Sequence, residues 1–185
     1  MASRRQRYRA HSAVPQPPAD AQRGWSLRPA EPADATAIAV HRATMFAEMG
    51  WLAFSAQARL QAASEPYLRD AIASGEYVGW LAHATGEPQH VIGGAGMQRR
   101  PLLPRPNEDG SDILEGLEGL IMNVYIEPQW RRRGIAEAMM REILAWAPAH
   151  GIVRVSLHAS DAGRPLYERM GFLATNEMRF REPSG

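Results

Sequence analysis

The sequence predicts a single α/β domain, and three observations carry that reading. Short apolar runs with strand character alternate with longer stretches of helical periodicity. Around residues 120–136, one such run passes through a basic, glycine-containing turn directly into an amphipathic helix. The chain has 185 residues, 45% of them hydrophobic, enough for one sizeable core.

The elements follow in order. Residues 1–24 differ from the rest: Arg4, Arg5, Arg7 and Arg9 cluster, Pro15, Pro17 and Pro18 follow, and no acid precedes Asp20. Without an apolar h-region this is not a secretory signal. Such composition fits a disordered extension, with transit peptides and nucleic-acid arms as the other uses of arginine-rich, acid-poor tails. The folded domain is expected over residues 25–185, opening on an edge strand at Trp25–Arg28. Asp34 can cap a helix running to about Met49, with Ile38, Met45 and Met49 among its apolar positions and Gly50 as its breaker. Residues 57–74 read as a second helix, kinked or split at Pro66. Residues 76–82 and 90–98 read as strands joined by a Gly-Glu-Pro turn. Gly93-Gly94-Ala95-Gly96 lacks the third spaced glycine of a dinucleotide site and has no helix behind it, so it marks a bulged or closely approached strand. Residues 101–116, with three prolines, Glu108, Asp109 and Asp112, read as a long loop.

Residues 120–126 form an apolar run interrupted by one polar residue, Asn123. After Glu127-Pro128 comes Arg131-Arg132-Arg133-Gly134-Ile135-Ala136. A strand, a basic turn and a helix N-terminus together make an anion site. The first helical N–H groups lack intrahelical partners and carry the positive end of the dipole. Gly134 permits close approach to the backbone, and arginines add charge with bidentate geometry. The turn is not a Walker loop, since no Gly-Lys-Ser/Thr follows. The helix extends over residues 135–147, with Ile135, Met139, Ile143, Leu144 and Ala147 on one stripe and Glu137 paired to Arg141 at i,i+4. Pro148 and Gly151 end it, and residues 152–158 alternate as a half-buried strand. Asp161 can cap a short helix over residues 162–170, closed by Gly171. A last strand is expected at residues 175–180.

Composition excludes several functions. Cysteine is absent, so disulfides, thiolate metal sites and a cysteine nucleophile are ruled out. The formal charge of +1 gives no overall field that selects nucleic acid or membranes. No apolar run reaches the roughly 18 residues of a membrane span. No dense His/Asp/Glu cluster has metal-ligand spacing, so no metal is expected. These features fit a soluble, cytoplasmic enzyme.

Two motifs carry a family resemblance. Arg131-x-x-Gly134-x-Ala136 after a strand resembles the acetyl-CoA signature of the GCN5-related N-acetyltransferase (GNAT) superfamily. Leu166-Tyr167-Glu168-Arg169-Met170-Gly171-Phe172 resembles that family's second motif, at the expected distance downstream. The joint spacing is more specific than either motif alone. The resemblance implies a mixed, mostly antiparallel central sheet with helices on both faces and two splayed parallel strands, here residues 120–126 and 152–158, with the cofactor in the opening. It implies acetyl-CoA as co-substrate, its pyrophosphate on the backbone of Arg131, Arg132, Arg133, Gly134, Ile135 and Ala136, and its pantetheine arm along Val124, Tyr125 and Ile126. Tyr167 aligns with the tyrosine that protonates the departing thiolate. Candidates for the base are Glu118, Glu127, His158 and His90, with a water relay and no single base as the alternative, and Asn123 can orient substrate or water. Phe46, Glu48, Met49 and Trp51 are expected to line the acceptor pocket.

The expected activity is acetyl transfer to a small-molecule or peptide amine by direct attack in a ternary complex. Ser156, His158 and Ser160 share one strand face, which leaves a covalent serine route as the minor alternative. A non-catalytic acyl-CoA sensor would use the same pocket without turnover. A nucleic-acid-binding module built on the basic tail is the third reading, and the absence of interleaved aromatics in the tail counts against it. Members of the superfamily are often homodimers.

Overall fold

The computed structural model describes residues 23–107, 109–178 and 180. The arginine- and proline-rich extension therefore lies outside the described residues, apart from Arg23 and Gly24, as does Glu108. Five strands and four helices follow in the order β1 (Trp25–Pro29), α1 (Ala35–Glu48), α2 (Gln57–Ser74), β2 (Tyr77–Ala84), β3 (Glu87–Pro106), β4 (Ile113–Ile126), α3 (Ile135–Trp146), β5 (Ile152–Leu157) and α4 (Arg164–Arg169). The strands form one sheet in the order β1-β2-β3-β4-β5. The first three pairings are antiparallel, and β4 with β5 is parallel.

Alternation along β2 divides the core. Tyr77 and Leu81 point to one face, where Ala35, Ile38 and Ala39 of α1 and Leu68 and Ala71 of α2 cover them. Trp80, Ala82 and Ala84 point to the other, where Ile135, Met139, Met140 and Ile143 of α3 pack with Ile92, Met97 and Ile121. Period two in the strand thus assigns one helical layer to each side.

Several expectations are corrected. The apolar positions read for α1 were Ile38, Met45 and Met49, but its buried face is Ala35, Ile38, Ala39 and Ala43, a small-residue stripe that seats the helix on α2 and the sheet. The Asp34 carboxylate does not cap α1. It accepts from the Glu31 amide at 2.7 Å in the preceding 3-10 turn and holds the Arg28 fork at 2.7 Å per branch, tying β1 to α1. α2 runs unbroken through Pro66.

The loop expected at residues 101–116 is a hairpin arm. Arg99 to Pro106 pair with β4 residues, Pro101 opposite Leu117 and Pro106 opposite Ile113. β2 pairs with β3 only as far as Gln98, so the distal part of β3 is an edge, where a proline without N–H is tolerated. α4 begins at Arg164 rather than after Asp161; its N-cap is Gly163, no side chain caps it, and the Ser160 Oγ accepts the Gly163 amide at 3.2 Å in the turn before it. No strand forms among described residues 172–178 and 180.

Candidate functional site

The site begins where β4 and β5 part. Their pairing runs from Leu117 with Ile152 to Ile121 with Leu157 and then stops, while β4 continues to Ile126. Residues 122–126 keep β3 on one side and have no strand partner on the other. A bulge lies at the point of divergence. Gly94 opposes Tyr125 and Gly96 opposes Met122, so Asn123 and Val124 face Ala95 alone, and Asn123 takes φ 57°. The glycines of β3 make room for this. A Cβ on Gly96 would collide with the Tyr77 phenol, and one on Gly93 would stand 2.6 Å from the Ile126 side chain.

The open edge leads into the basic turn. Arg132 and Gly134 both have left-handed backbones, φ 63° and 76°. The first helical bond of α3 is Ala138 N–H to the Gly134 carbonyl, and the Arg131 amide donates to the Pro128 carbonyl. Among the described residues, the amides from Arg132 to Glu137 donate to no other group. That is a run of backbone donors at the positive end of a helix, with open space beside Gly134. The arginines divide their roles. Arg131 turns back, donating to the Ile126 carbonyl at 2.9 Å, pairing with Glu48 and covering the Tyr125 ring. Arg133 lies over Trp130.

Tyr167, on α4, is buried in the α3-side core edge-to-face with Phe172. Its hydroxyl has no hydrogen-bond partner among the described residues, and burial pushes its pKa above the ordinary phenol value. Of the serine route, Ser156 donates weakly to Glu118 at 3.4 Å, the Ser160 Oγ accepts the Gly163 amide at 3.2 Å, and His158 meets Glu177 at 2.7 Å. No serine–histidine hydrogen bond joins them.

The candidate bases separate. Glu118 is buried on the paired part of β4, five residues before the bulge. Arg100 donates to it at 2.8 Å and Arg154 stands at 3.5 Å. Glu127 ends the open edge, 3.6 Å from His41 and 3.4 Å from His90, and accepts from Gln129. Burial lowers the pKa of His41, outweighing the raising effect of Glu127, and its ring leans on Tyr125 at 5.1 Å. Among the described residues no group of three or more His, Asp or Glu could hold a metal ion, and no helix is long and apolar enough to cross a membrane.

α1 forms the wall opposite the turn. Phe46 stacks with Trp51 at 6.1 Å, and Trp51 is 64% exposed. Glu48 accepts from the Tyr125 hydroxyl at 3.0 Å, and burial first, then Glu48, push that phenol up to about 12. Met49 caps the helix, half-buried. Asn123 links the two sides: it accepts from Arg42 at 2.6 Å and donates to the buried Tyr77 hydroxyl at 3.2 Å. Side-chain contacts join Glu48, Tyr125 and Arg131 in one group and Asn123, Arg42, Phe46 and Trp51 in another, while Glu118 is held by Arg100 and Arg154. His41, Arg42 and Tyr77 were not among the residues expected at the site. Helical spacing puts residues 38, 41, 42, 45, 46 and 49 on one face, but it does not name the distant partners, Asn123 and Glu127, that give Arg42 and His41 their setting.

Comparison with known proteins establishes the family. Residues 44–172 match the acetyltransferase (GNAT) family model. The crystal structure of a GCN5-related N-acetyltransferase from Ralstonia eutropha JMP134 is 32% identical, with TM-score 0.74 over 86% of this chain and 99% of that one. A predicted acetyltransferase from Clostridium acetobutylicum, solved with acetyl-CoA, is 25% identical, with TM-score 0.69 over 85% of this chain and 96% of that one. Glucosamine-6-phosphate N-acetyltransferase from Arabidopsis thaliana, 11% identical with TM-score 0.60 over 85% of this chain and 97% of that one, shares the fold. No curated protein matches the sequence significantly. With the parted strands, the donor-lined turn and a family match spanning most of its length, the chain belongs to the GNAT family of acetyltransferases.

Proposed function

We propose that the chain moves the acetyl group of acetyl-CoA to an amine by direct attack in a ternary complex. The carrying observation is the run of unpartnered amides from Arg132 to Glu137 at the end of the open β4 edge. In this reading the amides hold the pyrophosphate, and residues 124–126 bind the pantetheine amides as a neighbouring strand would. The Clostridium structure with acetyl-CoA supports the co-substrate. The thioester end then falls toward Asn123, and Tyr167 protonates the thiolate. Because the Arg131 guanidinium is engaged by Glu48, the backbone, with Arg132 and Arg133 beside it, supplies most of the anion binding.

The amine must lose a proton before it attacks. Glu118 is the weaker candidate, since Arg100, Arg154 and Ser156 already occupy its oxygens. We assign proton removal to Glu127 with His41, which border the open edge. A neutral amine is a competent nucleophile, so holding both substrates together supplies much of the rate.

Initial rates of thiol release, measured against acetyl-CoA at several fixed amine concentrations, test this. Intersecting lines are expected. Parallel lines with an acetyl mark on Ser156 or Ser160 would establish a covalent route instead. Binding of acetyl-CoA without thiol release for any amine would leave the sensor reading.

A further inference from the structure

Arg42 is a half-buried cation with no acid beside it among the described residues. Several other arginines have one: Arg28 has Asp34, Arg69 has Glu65, Arg100 has Glu118, Arg131 has Glu48 and Arg141 has Glu137. Arg99, also half-buried, has no acid either, but it donates to the Gly75 carbonyl at 3.0 Å. The Tyr77 and Tyr67 phenols stand near Arg42 and favour its charge, but neither is an acid that pairs with it. Its single hydrogen bond goes to a neutral amide oxygen, Asn123 Oδ1 at 2.6 Å. A charge withdrawn from water without a counter-charge is costly, and burial lowers the pKa of this guanidinium accordingly.

The arrangement holds the group still rather than neutralising it. The guanidinium lies over the Phe46 ring at 4.8 Å, and Phe46 is stacked in turn on Trp51. Asn123, itself pinned by the Tyr77 hydroxyl, fixes one N–H. The remaining N–H donors of the planar fork have no acceptor among the described residues. Such a fork matches the two oxygens of a carboxylate or phosphate. Acids on neighbouring elements are committed elsewhere, Glu48 to Arg131 and Tyr125, Glu127 to the two histidines, and Glu76 to Tyr67 and Gln98.

We infer that Arg42 binds an anionic oxygen group, carboxylate or phosphate, carried by the amine acceptor. The inference rests on the proposed acetyl transfer at this site. It makes the acceptor zwitterionic, with its amine toward the open β4 edge beyond Asn123 and its anion on α1. An amino acid or an amine bearing a phosphate has that pattern, and a polyamine lacks it.

The full chain is assayed by thiol release with matched acceptors: amino acids against their amides, and 2-aminoethyl phosphate against ethanolamine. At least one anionic acceptor should exceed its neutral twin in kcat/KM by on the order of 10- to 100-fold, the scale of a hydrogen bond to a charged group. R42Q should close that gap by raising KM for the anionic acceptor with kcat retained, and R42K should restore part of it. Whether the carboxylate or the phosphate pair shows the gap identifies the source. Neutral acceptors used equally well, a polyamine preferred over every anionic compound, or R42Q depressing both members of a pair alike would overturn the inference and leave acetyl transfer standing. Absence of thiol release with every amine would count against the transfer reading itself. In that event calorimetric titration of the same compounds into coenzyme A-loaded protein decides: binding of the anionic member lost in R42Q supports the inference, and indifference to R42Q overturns it.

Discussion

The Tyr167 phenol is buried, unpartnered among the described residues, and raised above its usual pKa of 10.0. A raised value keeps it protonated at neutral and mildly alkaline pH, the state a proton donor needs. Tyr167→Phe should leave acetyl-CoA affinity unchanged and lower kcat by ~100- to 10,000-fold, the usual loss of general acid catalysis; single-turnover rates with unchanged chemistry would remove Tyr167 from the mechanism. His41 is shifted the other way, below 6.5, chiefly by burial. Between its folded value and 6.5 the unfolded chain binds a proton that the folded protein does not. Stability from this group is therefore complete above 6.5 and falls as pH drops through that window. Urea midpoints of wild type and His41→Gln, compared between pH 7.5 and 5, should diverge in that direction; parallel pH profiles would contradict it. Gly134 was legible as the glycine of the turn into α3, where the backbone is left-handed, whereas Tyr167 was singled out through the family motif alone. Arg42 and His41 were not legible, because their meaning depends on Asn123 and Glu127, each more than eighty residues away in sequence.

At the scale of elements, period and turn chemistry located every helix and the cores of all five strands. The errors fall where tertiary context overrides a local signal. Three prolines made residues 101–116 look like a loop, yet the arm they occupy is an edge, where a missing N–H costs no ladder bond. Residues 175–180 alternate like a strand, but no strand forms among those described. Asp161 had the right residue type for a cap, but α4 starts at Arg164 behind Gly163 and no side chain caps it. The glycine run of β3 was legible as a close approach, but its partner, Tyr77, was not. Gly96→Ala would press on that phenol, which also holds Asn123. Overpacking of this kind costs about 1–3 kcal/mol, so denaturant unfolding should show a lower midpoint. An unchanged midpoint would mean the strands yield there more readily than their packing implies.

For the whole molecule, helical layers cover both faces of the sheet, β4 and β5 part beyond Ile121, and Glu48 at the end of α1 meets Tyr125 on the open β4 edge. Element order pointed to a single α/β domain, and the family resemblance supplied the mixed sheet with two splayed parallel strands. The positions of the acceptor-side residues needed the packing of α1 on the sheet, which no local pattern encodes. The arginine- and proline-rich first 22 residues carry little apolar surface. Their removal should leave melting temperature and acetyl-CoA affinity nearly unchanged; a large drop in either would show that they dock on the domain.

The central claim is that the turn from Arg131 to Ala136 is an acyl-CoA phosphate site. A ligand bound by the native state alone raises its stability by mass action. A thermal-shift titration of wild type and Gly134→Asp with acetyl-CoA tests the claim most directly. The wild type should show a saturable rise in melting temperature. Gly134→Asp should show none, since it sets a carboxylate and a strained left-handed backbone against the phosphate. No stabilisation of the wild type at millimolar acetyl-CoA, or equal stabilisation of both proteins, would contradict the account.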